Sequence, residues 1–187
     1  RPPGHHAEHN AAMGFCFFNN VAIGAMHALQ QPNVNRVAIV DFDVHHCNGT
    51  VDIFKDKPEV LVCSTFQHPY YPERYSDIQR DNIVNCPIEA HTRASVFREQ
   101  LEKFWLPAIQ NHKPDIIFIS AGFDAHHEDP MADLNLTEDD YRWATQLLMD
   151  AARTTCGGRI VSVLEGGYNP VALAFSVQAH IEVLAGH

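Results

Sequence analysis

"RVAIVDFDVHHCNGT", residues 36–50, joins an uninterrupted apolar run to two carboxylates at alternate positions, Asp41 and Asp43, then to His45, His46 and a glycine turn. An apolar run without polar alternation reads as a strand covered on both faces, the kind that parallel sheets contain. Four further runs share the pattern: "VLVCST" (60–65), "NIVNCPI" (82–88), "DIIFISAG" (115–122) and "RIVSVLE" (159–165). Between them, segments 18–31, 50–56, 93–112 and 137–154 carry helical spacing. The last of these opens on Thr137 with an acidic first turn and closes near Gly157 and Gly158. This alternation predicts an α/β fold, one domain over residues 1–187 with a central, mostly parallel sheet flanked by helices.

Composition narrows the function. A chain of 187 residues with 45% hydrophobic content can bury one sizeable core. Its formal net charge of −10 argues against nucleic acid as a partner and suits a cationic substrate. No stretch approaches the ~18 consecutive apolar residues of a membrane helix, and the opening "RPPGHHAEHN" has no signal-peptide pattern. The five scattered cysteines form no CxxC pair, as expected of reduced thiols in a cytoplasmic protein. Histidines number 13 and cluster at 5–6, 45–46 and 126–127, which points to metal or proton chemistry.

In parallel α/β sheets, ligands bind at the carboxyl ends of the strands. Here "DFDVHH", "AGFDAHHEDP" and "LEGGYNP" follow three different strands, so Asp43, His45, Asp124 and Tyr168 are expected on one rim. If the strand runs on as D-x-D-x-H, residues 41, 43 and 45 project to one side, and a cation relieves the crowding of carboxylates and imidazole. One histidine and two aspartates with an open position match catalytic zinc, whereas structural zinc sites are closed and cysteine-rich. A plainer reading has Asp41 and Asp43 capping the following helix with the histidines packed beside them.

Five stretches in order, "RPPGHHA" (1–7), "GFCFFNN" (14–20), "DFDVHHCNGT" (41–50), "SAGFDAHHEDP" (120–130) and "LEGGYN" (164–169), closely resemble the histone deacetylase family of the arginase–deacetylase superfamily, in its class II and bacterial branch. The resemblance implies hydrolysis of an acetyl-lysine peptide or a small acyl-amine. Position by position, it implies zinc on Asp43, His45 and Asp124. It makes His5 and His6 the catalytic histidine pair, with His6 as general base, and sets Asp41 behind His5 and Asn48 behind His6. Tyr168 matches the tyrosine that binds the substrate carbonyl, where some class II relatives with weak activity carry histidine. Gly14, Phe15, Tyr71 and Met131 match a narrow substrate tunnel, although "PERYSD" replaces the family's usual P-G-T-G after the second aromatic. A structural potassium ion is implied near the Ser64 hydroxyl. Polyamine-selective relatives are expected to carry glutamate where this chain has Met131.

Two departures stand out. The family pattern has a substantial segment before "RPPGHH", so the sequence is expected to be partial. Cys47 stands where deacetylases carry glycine and arginases a metal-binding carboxylate; it reads either as a small apolar filler or as a reactive thiolate. Two alternatives to a zinc deacetylase therefore remain: a catalytically weak acyl-lysine-binding protein and an arginase-like binuclear manganese ureohydrolase.

Overall fold

A computed structural model describes residues 2–187; Arg1, the first residue of the opening motif, lies outside the described residues. Five strands are present: β1 (Val37–Asp41), β2 (Val60–Gln67), β3 (Ile83–Ile88), β4 (Ile116–Ala121) and β5 (Ile160–Leu164). They form one sheet in the order β3-β2-β1-β4-β5, with every pairing parallel. The chain runs outward from β1 through β2 to β3, then returns to the other side of β1 for β4 and β5. Neighbouring β1 and β4 are therefore a topological switch point, where a crevice opens beyond the strand ends.

The strands are apolar on both faces because both faces are covered. Ala38, Val40, Leu61, Cys63, Ile117 and Ile119 pack with Phe97, Leu101, Trp105 and Ile109 and with Tyr141, Ala144 and Leu148. Those residues come from helices α3 (Ala94–Gln100), α4 (Leu106–His112) and α5 (Glu138–Cys156) and from the turn that joins the first two. Val37, Ile39, Val60, Val62 and Phe118 turn the other way, onto Val21, Ala22 and Ala25 of α1 (Asn20–Ala28) and Val51 and Phe54 of α2 (Asn48–Phe54). At ~1.5–3 kcal/mol per fully buried large aliphatic side chain, these two layers supply the dominant stabilising term.

Residues 93–112, expected as one helix, contain a π-helical turn at Leu101–Trp105 between α3 and α4. Pro107 sits just beyond it, and its missing N–H breaks the regular ladder that the wider turn accommodates. For α5 the expected cap is present: Thr137 and Asp140 bond reciprocally, and Gly157 ends the helix at φ 61°. A sixth helix, α6 (Pro170–Leu184), had no counterpart in the hydrophobic pattern. Its exposed Val171, Phe175 and Ile181 blur any polar face, although Asn169 caps Val171 and Ala172 and Pro170 opens it. Among the described residues, no helix is long and apolar enough to cross a membrane. All five cysteines are free and buried.

Candidate active site

β1 ends at Asp41, so Asp43 and His45 do not project from a continuing strand as expected; they lie in the turn beyond it. Side chains build that turn. Asp41 Oδ1 accepts from the Asp43 N–H at 3.0 Å, and Asp43 Oδ1 accepts from the His45 N–H at 2.9 Å. Asp124 arrives from the loop after β4, and its Oδ1 accepts from the Val44 N–H at 2.9 Å. One donor atom each from Asp43, His45 and Asp124 lies within 4.8 Å of the others, and all three residues are buried.

This trio fits a metal ion. His45 Nδ1 points between the carboxylates, 3.0 Å from Asp43 Oδ1 and 3.1 Å from Asp124 Oδ2. Despite that distance, Asp124 Oδ2 makes no well-aligned hydrogen bond, so a buried carboxylate oxygen stays aimed at the cluster. Gly166 leaves the space: a Cβ there would overlap the carboxylates of Asp124 and Asp43. Its small size thus admits the two aspartates. Two buried carboxylates this close repel unless a cation or proton joins them. Burial and the charge of Asp43 push the Asp124 carboxyl up to about 6. For Asp43 burial also acts upward, but His5 and His45 outweigh it and hold the group below the usual carboxylate range. Burial opposes charge on His45, yet the neighbouring carboxylates of Asp124 and Asp43 raise it to about 10.

His5 and His6 lie beside this cluster with their rings tilted at 44°, centroids 4.1 Å apart, in opposite electrostatic settings. His5 Nδ1 meets Asp41 Oδ2 at 2.9 Å. Burial acts against its charge, but Asp41 and Asp43 raise its pKa well above the ordinary 6.5. His6 Nδ1 meets a neutral amide, Asn48 Oδ1, at 2.6 Å. Burial and the neighbouring His5 lower it to about 2. Asp41, behind His5, is pushed up to about 7 by burial, against the pull of that histidine. The pair is therefore pulled in opposite directions, His5 towards its charged form by Asp41 and Asp43 and His6 towards its neutral form by burial and His5.

The cluster reaches, through His45, a cavity of about 560 Å³ lined by His6, Gly14, Phe15, His45, Tyr70, Tyr71, Met131 and Tyr168. Every tunnel residue expected from the sequence lines it, including Tyr71, whose ring meets His6 edge-on at 5.2 Å. Phe15 and Tyr168 face each other with centroids 6.2 Å apart. A larger cleft of about 850 Å³, bounded by Lys55, Arg80 and Lys103, shares no residue with this site. Ser64, paired in register with Asp41, has a fully buried Oγ without a hydrogen-bond partner. The Cys47 thiol beside it is a weak donor, pushed well above the usual thiol range by burial and by Asp41. Cys47 packs among Val21, Val51 and Val62, which removes the reactive-thiolate reading.

Three further residues build the site without having been singled out in the sequence. Glu165, fully buried, accepts from the Gly4 and His5 N–H groups at 2.6 and 3.1 Å and from Ser120 Oγ at 2.9 Å, tying the histidine segment to β4. Its sequence signal was a charge immediately after the apolar run of β5. Tyr70 stacks on His45 at 5.6 Å and donates its hydroxyl to the Met131 carbonyl. Asp129 bonds the backbone of Tyr168, Asn169 and Met131.

The family model described as "Histone deacetylase domain" matches residues 1–184. "Histone deacetylase 14, chloroplastic" of Arabidopsis thaliana is 42% identical over 192 residues, covering 100% of this chain and 45% of that protein. "Histone deacetylase-like amidohydrolase" of Pseudomonas aeruginosa is 39% identical over 193 residues, covering 100% of this chain and 51% of that protein. The crystal structure of the HDA15 HD domain superposes with a TM-score of 0.91 at 37% identity, over 100% of this chain and 56% of that one. The chain spans about half the length of the curated relatives it matches.

Proposed function

The chain belongs to the histone deacetylase family, and on that premise we propose that it is the catalytic part of a zinc-dependent amidohydrolase that removes acetyl groups from acetyl-lysine or similar acylated amines. The observation that carries this reading is the buried Asp43–His45–Asp124 cluster, whose His45 lines an aromatic-walled cavity. Oxygen, nitrogen and oxygen donors with an open side suit zinc, which when bound would polarise the amide carbonyl and lower the pKa of water.

The protein's own groups complete the chemistry. Phe15 and Tyr71 shield the lysine methylenes from water and orient the amide towards the cluster. Neutral His6, with its proton held on Nδ1 by Asn48, accepts at Nε2 the proton of the attacking water. The Tyr168 hydroxyl donates to the carbonyl oxygen as negative charge develops there. His5, held charged by Asp41, adds positive potential beside that oxygen. The C–N bond then breaks as His6 returns its proton to the departing amine, leaving acetate and a free amine.

The orphaned Ser64 hydroxyl, beside the Asp41–His45 turn, supports a structural potassium site. Five free thiols suit a compartment that keeps cysteine reduced, such as the cytoplasm. A binuclear arginase-like centre has less support. Among the described residues one cluster of metal-binding side chains occurs, Cys47 is sealed in the core, and His126 Nδ1 accepts from the Glu128 N–H at 3.1 Å. Metal analysis of the intact protein, paired with acetate release from an acetyl-lysine peptide, tests the proposal. Stoichiometric zinc with turnover supports it; zinc without turnover would leave the acyl-lysine-binding alternative.

A further inference from the structure

Tyr168 follows Gly166, whose N–H donates to Asp43 Oδ2 at 2.8 Å and whose carbonyl accepts from the Phe123 N–H at 3.0 Å, and Gly167; past these glycines its backbone takes a further anchor from elsewhere in the fold. That anchor comes from the loop after β4. Asp129, 7% exposed, accepts from the Tyr168 N–H at 2.7 Å and the Asn169 N–H at 3.2 Å through Oδ2. Through Oδ1 it accepts from the Met131 N–H at 3.0 Å. The Glu128 carbonyl adds a fourth link, accepting from Asn169 Nδ2 at 2.9 Å. On the other side, the Met131 carbonyl accepts from the Tyr70 hydroxyl, and Tyr70 stacks on His45. One carboxylate thereby fixes the backbone of two residues that line the cavity, Tyr168 and Met131.

We propose that Asp129 is a positioning residue for the reaction: its carboxylate holds the Tyr168 phenol at the distance from the metal cluster that transition-state stabilisation requires, and holds the Met131 wall in step with it. This deepens the function proposed above and rests on it. The carboxylate touches neither substrate nor metal ligand and acts through the backbone it clamps. Helix α6 does not depend on the clamp for its start, because the Asn169 side chain caps Val171 and Ala172 by itself. Asp129→Asn is nearly isosteric but offers one acceptor oxygen in place of two, so one arm of the clamp is lost while the volume is kept.

The test is a double-mutant cycle on the intact, zinc-loaded protein with an acetyl-lysine peptide as substrate. Asp129→Asn is expected to lower kcat about tenfold or more with little change in KM and none in zinc content, since small misplacements of a reacting group are costly in rate. In a Tyr168→Phe background the same substitution is expected to cost almost nothing further, because there is no longer a phenol hydroxyl to position. Hydrogen exchange at the Tyr168 and Asn169 amides should accelerate in Asp129→Asn, while β4 and β5 stay protected. An equal fold-loss in both backgrounds, an unchanged kcat, lost zinc or a lost fold would each overturn the proposal. Zinc-loaded parent without acetate release overturns the proposed function instead; exchange then still decides the clamp, because unchanged protection at residues 168–169 removes it.

Discussion

His6 Nδ1 lies 2.6 Å from Asn48 Oδ1, and this contact decides which ring nitrogen is free. The amide orientation is set by its other bonds: Asn48 Nδ2 donates to Glu8 Oε1 at 2.8 Å and to the His6 carbonyl at 3.3 Å. Its oxygen therefore accepts, the proton sits on Nδ1, and Nε2 is left as the acceptor that the proposed base requires. Asn48→Ala is expected to lower kcat about 10–100-fold, the usual cost of losing a partner that orients a site imidazole, while zinc content stays at the parent level. Parent-like turnover in that variant would show that Asn48 does not control the tautomer.

Much of this site was legible before any coordinates, for identifiable reasons. Fully covered strands must be apolar on both faces, so the five runs stood out, and the run at 115–122 came within one residue of the observed ends of β4. Asp43, His45 and Asp124 were expected together, but the expected cause, alternation along a strand, is not the one observed. The strand stops at Asp41 and the turn is wound by aspartate side chains bonding backbone N–H groups two residues ahead. Helix α6 escaped notice because its surface is apolar nearly all round. Asp129 bonds only backbone amides, which carry no sequence signature, and Glu165 is marked in the sequence only by its charge after the β5 run.

Asp43, His45 and Asp124 are grouped as a metal ion would require, while Tyr168 sits at the cavity wall, so the two proposed roles should separate by mutation. His45→Ala or Asp124→Ala is expected to abolish stoichiometric zinc binding, measured by metal analysis after dialysis. Tyr168→Phe should keep zinc and lose most turnover, about 10²–10³-fold for one lost donor to a developing oxyanion. Equal zinc loss in Tyr168→Phe and Asp124→Ala would refute this division.

His180 provides a test of stability that is independent of the metal site. It is buried between Thr145 Oγ1 at 2.7 Å and Ser162 Oγ at 2.8 Å, against the rings of Phe42 and Phe123. Burial lowers it from 6.5 to about 4. Between those values the unfolded chain binds a proton that the folded one does not, so this residue's contribution is complete above pH 6.5 and is lost as pH falls towards 4. The expected loss from pH 7 to pH 5 is about 2 kcal/mol. In His180→Gln that part of the pH dependence should vanish, whatever the variant's stability at pH 7. Denaturant titrations at both pH values check it, and an equal pH-induced loss in parent and variant would contradict the assignment.

Met131 lines the cavity, and among the described residues that lining contains no carboxylate, so the Met131 thioether offers packing without charge. An acetylated polyamine carries a second ammonium several methylenes from the amide, and its discrimination needs an anion near the rim. The backbone at Met131 is pinned through its N–H by Asp129 and through its carbonyl by Tyr70, so a new side chain there would project from a fixed point. The parent is therefore expected to favour an acetyl-lysine peptide over acetylspermidine in kcat/KM. Met131→Glu should shift that ratio towards the polyamine by about tenfold or more, the range of one well-placed charge pair near a protein surface. Peptide turnover should fall modestly as the apolar contact is lost. A parent that already prefers acetylspermidine would place its cation-reading group outside this cavity and refute the role given to Met131.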